Sequence, residues 1–327
     1  MQPFKRNYLQ HALAVSAWMW EHNAVGGQDP LNLVMEIAQG DKTVRLFPQF
    51  DAESDIGTVF VNQLSPGVIG FVGWYPYPPK GWPIAQNKLA FKEFARRSGL
   101  RTPAWSRNMD EVKGPVLVKR EVSSLGAGQR GPFMMAKPPG PRADICLAAD
   151  EFCEQFITGQ LLKAWYWCDE LAVVEVVNMP TVQGDGQSTV RQLFQSLTKR
   201  TDLALQEALL HIQGVVADDV VRQGRSLIVD YQYLAQSNPS LYADYNCRGS
   251  IRGTPFEAQL QQAGRLCWAE VPEATRGIGA AMTIDGVVDA DGRAWFLEVN
   301  CNPRLHPAFY APMLDALFLE PKPESPQ

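Results

Sequence analysis

The sequence predicts a mixed α+β chain, and three patterns carry that prediction. Short apolar runs of strand length, bounded by Gly, Asn and Asp, recur between residues 58 and 299. Segments with helical i, i+3, i+4 spacing lie between them. Two Ser/Thr-x-x-Glu/Gln capping boxes, Thr189 with Gln192 and Thr254 with Glu257, mark helix starts. Strands and helices interleaved in this way belong to the α/β or α+β classes. At 327 residues, 46% hydrophobic and 20% charged, the chain has the composition of a globular protein with two or three compact units.

The elements follow in order. A helix is predicted over residues 7–22, then strands over 58–61 and 68–72. The proline-rich run 75–83 cannot be helix or central strand, because its prolines lack amide donors; it reads as a linker or rigid loop, with a boundary near residue 86. Phe91, Phe94 and Ala95 follow helical spacing in the next helix, which Gly99 stops. A strand over 115–119 runs into the Gly-rich segment 123–131. Strands over 162–167 and 171–177 form a hairpin around Cys168-Asp169-Glu170. The helix after Thr189 presents Val190, Leu193, Phe194 and Leu197, and the helix after Thr254 presents Phe256, Leu260, Ala263 and Cys267. The last two strands, 282–288 and 294–299, are reversed by the turn Asp289-Ala290-Asp291-Gly292. The proline-rich tail 321–327 is expected to be disordered.

Composition excludes several functions. A net charge of −5 argues against an extended nucleic-acid footprint. No run approaches the ~20 apolar residues that span a bilayer. Lys5 and Arg6 precede an apolar run over 12–20, but His11, Glu21 and His22 bracket it and no small-residue cleavage site follows cleanly, so it reads as a helix. Six cysteines are scattered without a Cys-x-x-Cys pair, which supports neither a disulfide framework nor a zinc site and fits a reducing cytoplasm.

The chemistry concentrates in the last hairpin. Asp285 lies in its first strand. Glu298 and Asn300 are two apart in the second, so they point to one face. Three hard oxygen-bearing side chains thereby gather at one end of a sheet, which suits Mg²⁺ shared with nucleotide phosphates. Lys119, at the end of an apolar strand, supplies a point charge. Gly126 and Gly128 after it let backbone amides approach phosphate oxygens, with Ser123 and Ser124 as hydroxyl donors. Gly126-x-Gly128-x-x-Gly131 also spells the dinucleotide fingerprint. That reading fails, because residues 122–125 separate the glycines from the strand and the prolines from Pro132 onward forbid the helix it needs.

Taken in order, the parts are Lys88 at a helix start, Lys119 with its glycine loop, Glu154-x-Phe156-Ile157-x-Gly159, and Asp285 followed by Glu298-x-Asn300. Over roughly residues 85–315 they resemble the ATP-grasp superfamily of carboxylate–amine ligases. The passage 178–193 is similar to that of cyanophycin synthetases and bifunctional glutathione synthetases, and Asn87-Lys88 with the metal hairpin to that of D-alanine–D-alanine ligases. The resemblance implies an ATP-grasp α+β fold in which two α+β lobes clasp ATP. Residues 1–86 would form a small α/β N-terminal domain, 87–320 the ATP-grasp unit with a lid at about 115–157, and 321–327 a tail.

It also implies roles. Lys88 and Lys119 would hold ATP phosphates under the 126–128 loop. Glu154 would meet the adenine amino group, backbone groups of Gln155, Phe156 and Ile157 would read its edge, and Phe156 would lie beside the ring. Lys163 stands where the cyanophycin-synthetase-like enzymes carry an arginine, near phosphates or substrate. Asp285, Glu298 and Asn300 would bind two Mg²⁺, with Glu298 bridging and Mn²⁺ as a substitute. Three departures stand out: Leu161 replaces the usual ribose-binding acid, Arg120 replaces a proline, and Pro303-Arg304 replaces Pro-Gly. Arg304 is suited to bidentate carboxylate binding, with an ordinary ion-paired arginine as the alternative. Arg248 and Arg252 lie where relatives carry an arginine for the transferring phosphate. His11, His22 and His211 belong to no constellation.

The implied activity is a Mg-dependent ligase that joins a small-molecule or peptide carboxylate to an amine through an acyl phosphate, giving an amide. It would be cytoplasmic, with no nucleic-acid or membrane partner, and a homodimer is left open. A small-molecule phosphotransferase using the same cleft and a non-catalytic ATP-binding module are the alternatives.

Overall fold

In the computed structural model, residues 3–54, 57–123, 126–134, 145–198, 205–231 and 246–319 are described. Helix α1 (Pro3–Glu21) packs on an antiparallel sheet of β1 (Val25–Gln28), β2 (Met35–Gln39), β3 (Lys42–Ser54), β4 (Gly57–Val61) and β5 (Val68–Tyr75). Strand β3 organises it. Its first half pairs with β2, and its second half lies between β4 and β5. Every ladder in this N-terminal unit is antiparallel. Helix α1 buries Val15 and Trp18, and the Trp18 Nε1 donates to Asp315 Oδ1 at 2.8 Å in the C-terminal helix Tyr310–Phe318.

The proline-rich run is a packed loop rather than a free linker. Tyr77, Trp82 and Ile84 are buried in the same hydrophobic cluster as Trp18, Phe71 and Trp74, and that cluster continues through Phe91 to Met282 and Met313. The N-terminal unit and the body therefore share one core, without a solvent gap at residue 86. Helices α2 (Pro83–Gln86) and α3 (Lys88–Arg97) follow; Asn87 caps α3 by accepting from the Ala90 amide at 3.0 Å.

Two four-stranded antiparallel sheets build the body. One is ordered β6 (Trp105–Ser106), β9 (Glu151–Gln155), β7 (Pro115–Arg120), β8 (Arg130–Met134). The other is ordered β11 (Glu170–Asn178), β10 (Gln160–Trp167), β14 (Ala281–Val288), β15 (Ala294–Cys301). Both expected hairpins, β10–β11 and β14–β15, are present. Asp289 makes the second turn: its Oδ1 accepts from the Asp291 and Arg293 amides at 2.9 and 3.0 Å, and its Oδ2 from Trp295 Nε1 at 2.8 Å.

A small module of β12 (Thr181–Gln183), α4 (Val190–Thr198), α5 (Glu207–Ile212) and β13 (Ser226–Ile228) has its own core, which includes Val182, Phe194, Leu210 and Leu227. The box at Thr189 is reciprocal, with Thr189 N to Gln192 Oε1 at 2.9 Å and Gln192 N to Thr189 Oγ1 at 3.3 Å. The box at Thr254 is half-made. Glu257 N donates to Thr254 Oγ1 at 3.2 Å, but the Glu257 carboxylate turns to the Gly253 amide and the Arg248 guanidinium. Ser124, the prolines at 138–141 and the tail 321–327 lie outside the described residues. Among the described residues no helix is long and apolar enough to cross a membrane.

Candidate active site

The two body sheets, α2, α3 and the loop after β15 enclose a cleft of about 570 Å³. Its floor is set by register. Glu175 on β11 pairs with Lys163 on β10, Lys163 with Asp285 on β14, and Asp285 with Glu298 on β15, so four ionisable side chains stand in one row across one face. The next row on that face runs Val173, Trp165, Thr283, Asn300. Lys163 Nζ is 2.6 Å from Asp285 Oδ1, and Asn300 Nδ2 donates to Asp285 Oδ2 at 3.1 Å. Burial pushes the Asp285 pKa up; Lys163 pulls it back, and the adjacent Glu298 charge pushes it up again, so the net direction is upward. Burial also opposes the Glu298 charge, but Lys88 and Lys119 outweigh it and hold Glu298 below the usual glutamate value.

The opposite wall carries the other cations. Lys88 Nζ is 3.1 Å from Glu298 Oε2 and donates to the Ser123 carbonyl at 2.6 Å and to its hydroxyl at 3.2 Å. Helix α3 thereby ties the base of the glycine loop to the carboxylate row. Lys119 and Glu154 form an ion pair, and Lys92 takes the other oxygen of the same carboxylate. Glu154 is 1% exposed and Lys92 wholly buried. Burial disfavours the Glu154 charge, yet the two lysines outweigh it and lower its pKa. Burial brings Lys92 down to about 8, although Glu154 opposes that shift. The Glu154 side chain is thus committed to two ammonium groups.

The expected adenine end is apolar. Leu117, Phe156, Leu161, Met179, Tyr231 and Val287 form one buried cluster, and all line the cleft. Leu161 belongs to this slot. The Gln155 and Phe156 amides are spent inside the fold, on the carbonyls of Ala104 and Pro115 at 2.8 Å each. Gln155 and Ile157 line the cleft as well. Tyr231 packs edge-on against Phe156 and donates to the Gly131 carbonyl at 3.0 Å, which joins the slot to β8 of the glycine-loop hairpin. Gly126 lines the cleft with φ of +74°, a conformation that a side chain disfavours; Gly128 stands behind it, against Arg120.

The arginines separate. Arg304 lines the cleft and pairs with Asp51 of β3, a wholly buried carboxylate. Its loop is stitched down on three sides: Trp165 Nε1 donates to the Arg304 carbonyl at 2.8 Å, Leu305 N to the Val72 carbonyl at 2.9 Å, and the Tyr75 hydroxyl to the Pro303 carbonyl. Arg248 does not reach the cleft lining. Its guanidinium is held by Glu257 and by the Leu171 carbonyl at 3.1 Å, while Arg252 is exposed and also outside the lining. Lys92, Asp51, Glu175 and Trp165 were not singled out from the sequence. A lysine beside Phe91 on the apolar side of α3 was the available signal for Lys92, because lysine is fully buried only when paired.

Among the described residues no cluster of three or more His, Cys, Asp and Glu side chains could hold a metal alone. The donor set still fits a hard divalent cation. Asp285 and Glu298 are paired carboxylates whose mutual repulsion favours a cation between them, and Asn300 adds an amide oxygen beside them. Such a set leaves coordination positions for phosphate oxygens and water.

No family model and no curated protein matches the sequence. Among solved structures, D-alanine–D-alanine ligase from Bacillus anthracis complexed with ATP aligns at 13% identity over 72% of this chain and 65% of that one, with a TM-score of 0.34. A bifunctional glutathione synthetase from Pasteurella multocida aligns at 12% identity over 94% of this chain and 43% of that one, with a TM-score of 0.41. The ATP-grasp ligase PsnB complexed with minimal precursor aligns at 14% identity over 71% and 59%, with a TM-score of 0.33. The chain spans less than two thirds of the length of each of these three.

Proposed function

We propose that this chain is an ATP-grasp-type ligase that uses ATP to activate a carboxylate and joins it to an amine. One observation carries the reading: a single cleft has an apolar slot at one end and, at the other, Lys88, Lys119 and Lys163 against the paired carboxylates of Asp285 and Glu298. An aromatic base fits the slot, and a polyphosphate with a divalent cation fits the charged end.

Asp285, Glu298 and Asn300 would hold Mg²⁺, which when bound neutralises phosphate charge and draws electron density from the transferring phosphorus. Lys88 and Lys119 orient the phosphate oxygens, Lys163 stands between them and the acid, and Gly126 lets the loop backbone approach the phosphates. Arg304, steadied by Asp51, receives the carboxylate of a substrate at the far end of the charged floor. The acid's oxygen attacks the γ-phosphorus, the bond to the β–γ bridging oxygen breaks, and ADP leaves. The amine then attacks the acyl carbon; phosphate leaves with the electron pair of the broken C–O bond, and the amine proton passes to solvent. No side-chain nucleophile is needed. Closure of the glycine-loop hairpin excludes water from the acyl phosphate.

The test is ADP release with Mg²⁺, ATP and pooled amino acids or short peptides in the presence of hydroxylamine, with mass spectrometry for new amides. A trapped hydroxamate that Glu298→Gln abolishes supports the ligase. A phosphorylated product without hydroxamate, or ATP binding without turnover, sinks it.

A further inference from the structure

We propose that Lys163 changes partners when the Asp285–Glu298 pair takes up a divalent cation, crossing from Asp285 to Glu175, and that Glu175 positions the lysine in the loaded cleft. The inference rests on the metal reading given above.

Register makes the crossing geometrically short. Lys163 sits on the middle strand of three, with Asp285 directly opposite on one side and Glu175 directly opposite on the other. Each neighbour is one strand spacing away, about 4.8 Å, so a lysine side chain reaches either by rotation alone. The starting position competes with a metal for the same carboxylate. Lys163 Nζ lies 2.6 Å from one Asp285 oxygen and Asn300 Nδ2 lies 3.1 Å from the other, so both oxygens are covered by donors. A cation that binds Asp285 repels the ammonium from the same carboxylate.

The destination is built. Glu175 is 2% exposed, and its Oε1 is sealed from solvent and accepts no hydrogen bond. A buried carboxylate left in that state is costly, and a charged donor is what it lacks. His306 Nε2 stands 3.4 Å from that oxygen. His306 Nδ1 accepts from the Ala308 amide at 3.0 Å, and its Nε2 makes no hydrogen bond to Glu175 Oε1. Burial raises the Glu175 pKa to about 7, with Lys163 already pulling it down. A path lies between the two sites. Lys163 Nζ stands 5.6 Å from the centroid of Trp165, whose ring also packs edge-on against His306. Crossing frees Asp285 for the metal and keeps the ammonium beside Trp165 and Arg304, where the substrate end of the cleft begins.

The experiment measures Mn²⁺ binding by electron paramagnetic resonance, with a non-hydrolysable ATP analogue, in the full chain, Glu175→Gln, Lys163→Met and the double variant. Glu175→Gln is expected to weaken Mn²⁺ binding about tenfold, because the displaced lysine loses its destination. With Lys163→Met there is no lysine to rehouse, so adding Glu175→Gln is expected to change the Kd by less than about twofold. Glu175→Asp, which retains the charge but withdraws it by one methylene, is read in the same way if Glu175→Gln melts early. Unchanged Mn²⁺ binding in Glu175→Gln, or an equal loss in both backgrounds, overturns the partner exchange alone. Failure of the unsubstituted chain to bind Mn²⁺ overturns it together with the metal reading.

Discussion

Lys92 and Lys119 grip opposite oxygens of the Glu154 carboxylate, one from helix α3 and the other from strand β7. Lys92 also donates to Thr102 Oγ1 at 2.9 Å. The triad links the helix that carries Lys88 to the sheet that carries the glycine loop, so the wall facing the carboxylate row is held together through one buried charge.

Glu154→Ala is therefore expected to destabilise the chain by about 3–5 kcal/mol, since it leaves two lysines in the interior without a counter-charge. Urea unfolding at pH 7 measures this. Adding Lys92→Leu to it should recover part of the loss, and a neutral Glu154→Ala would contradict the clamp.

Glu175 sets a pH dependence. Its pKa is raised from 4.5 to about 7 in the folded chain, mainly by burial. Between those values the folded chain retains a proton that the unfolded chain has released, so stability is fully present below pH 4.5 and falls as pH rises through 7. The total is about 3 kcal/mol. Metal-free Glu175→Gln should lose that component of the slope, which urea midpoints taken from pH 4 to 8 would show.

Asp51 depends on Arg304. Burial raises the Asp51 pKa and Arg304 pulls it back. Because Arg304 is partly exposed, Arg304→Ala is expected to cost about 2 kcal/mol at pH 7. The loss should shrink in acid as Asp51 takes up a proton, and Asp51→Asn in the same chain should offset most of it. In the ligase assay Arg304→Lys should raise the KM for the acid more than it lowers kcat, because a lysine cannot make the bidentate contact.

Two glycines separate strain from clash. Gly126 has φ of +74° with open space around it, so Gly126→Ala is expected to cost about 1–2 kcal/mol locally and to raise the KM for ATP. At Gly159 a Cβ would stand 2.1 Å from the Val288 carbonyl oxygen, between β10 and β14. Gly159→Ala should thus lower Tm by more than Gly126→Ala, since the ladder beneath Lys163 and Asp285 must part.

The β14–β15 hairpin was legible because its signals are local. Alternation places Glu298 and Asn300 on one face, and Asp289 with Gly292 marks the turn. The second hairpin had a short turn at Cys168-Asp169, which fixes register in principle, yet Glu175 reads as one polar residue in an apolar run until Lys163 is set opposite it. The Glu154 clamp and the Asp51–Arg304 pair leave no local trace. Each joins parts distant in sequence: α3 meets β7 and β9 at Glu154, and the Pro303 loop meets β5 and β3 at Arg304. Arg248 shows the converse: its place in the chain suggested phosphate, but a neighbouring helix supplied Glu257 first.

The module between β12 and β13 closes an oily centre of its own, and α5 straddles it, turning Leu210 inward and Leu209 toward the apolar slot. With that core of its own, the module is expected to open as a unit, its amide protons exchanging with deuterated solvent before those of β10 and β14. Through Tyr231 and α5 it also leans on β8, so a nucleotide that stills the glycine hairpin should slow deuterium uptake there, at a distance from any atom it touches.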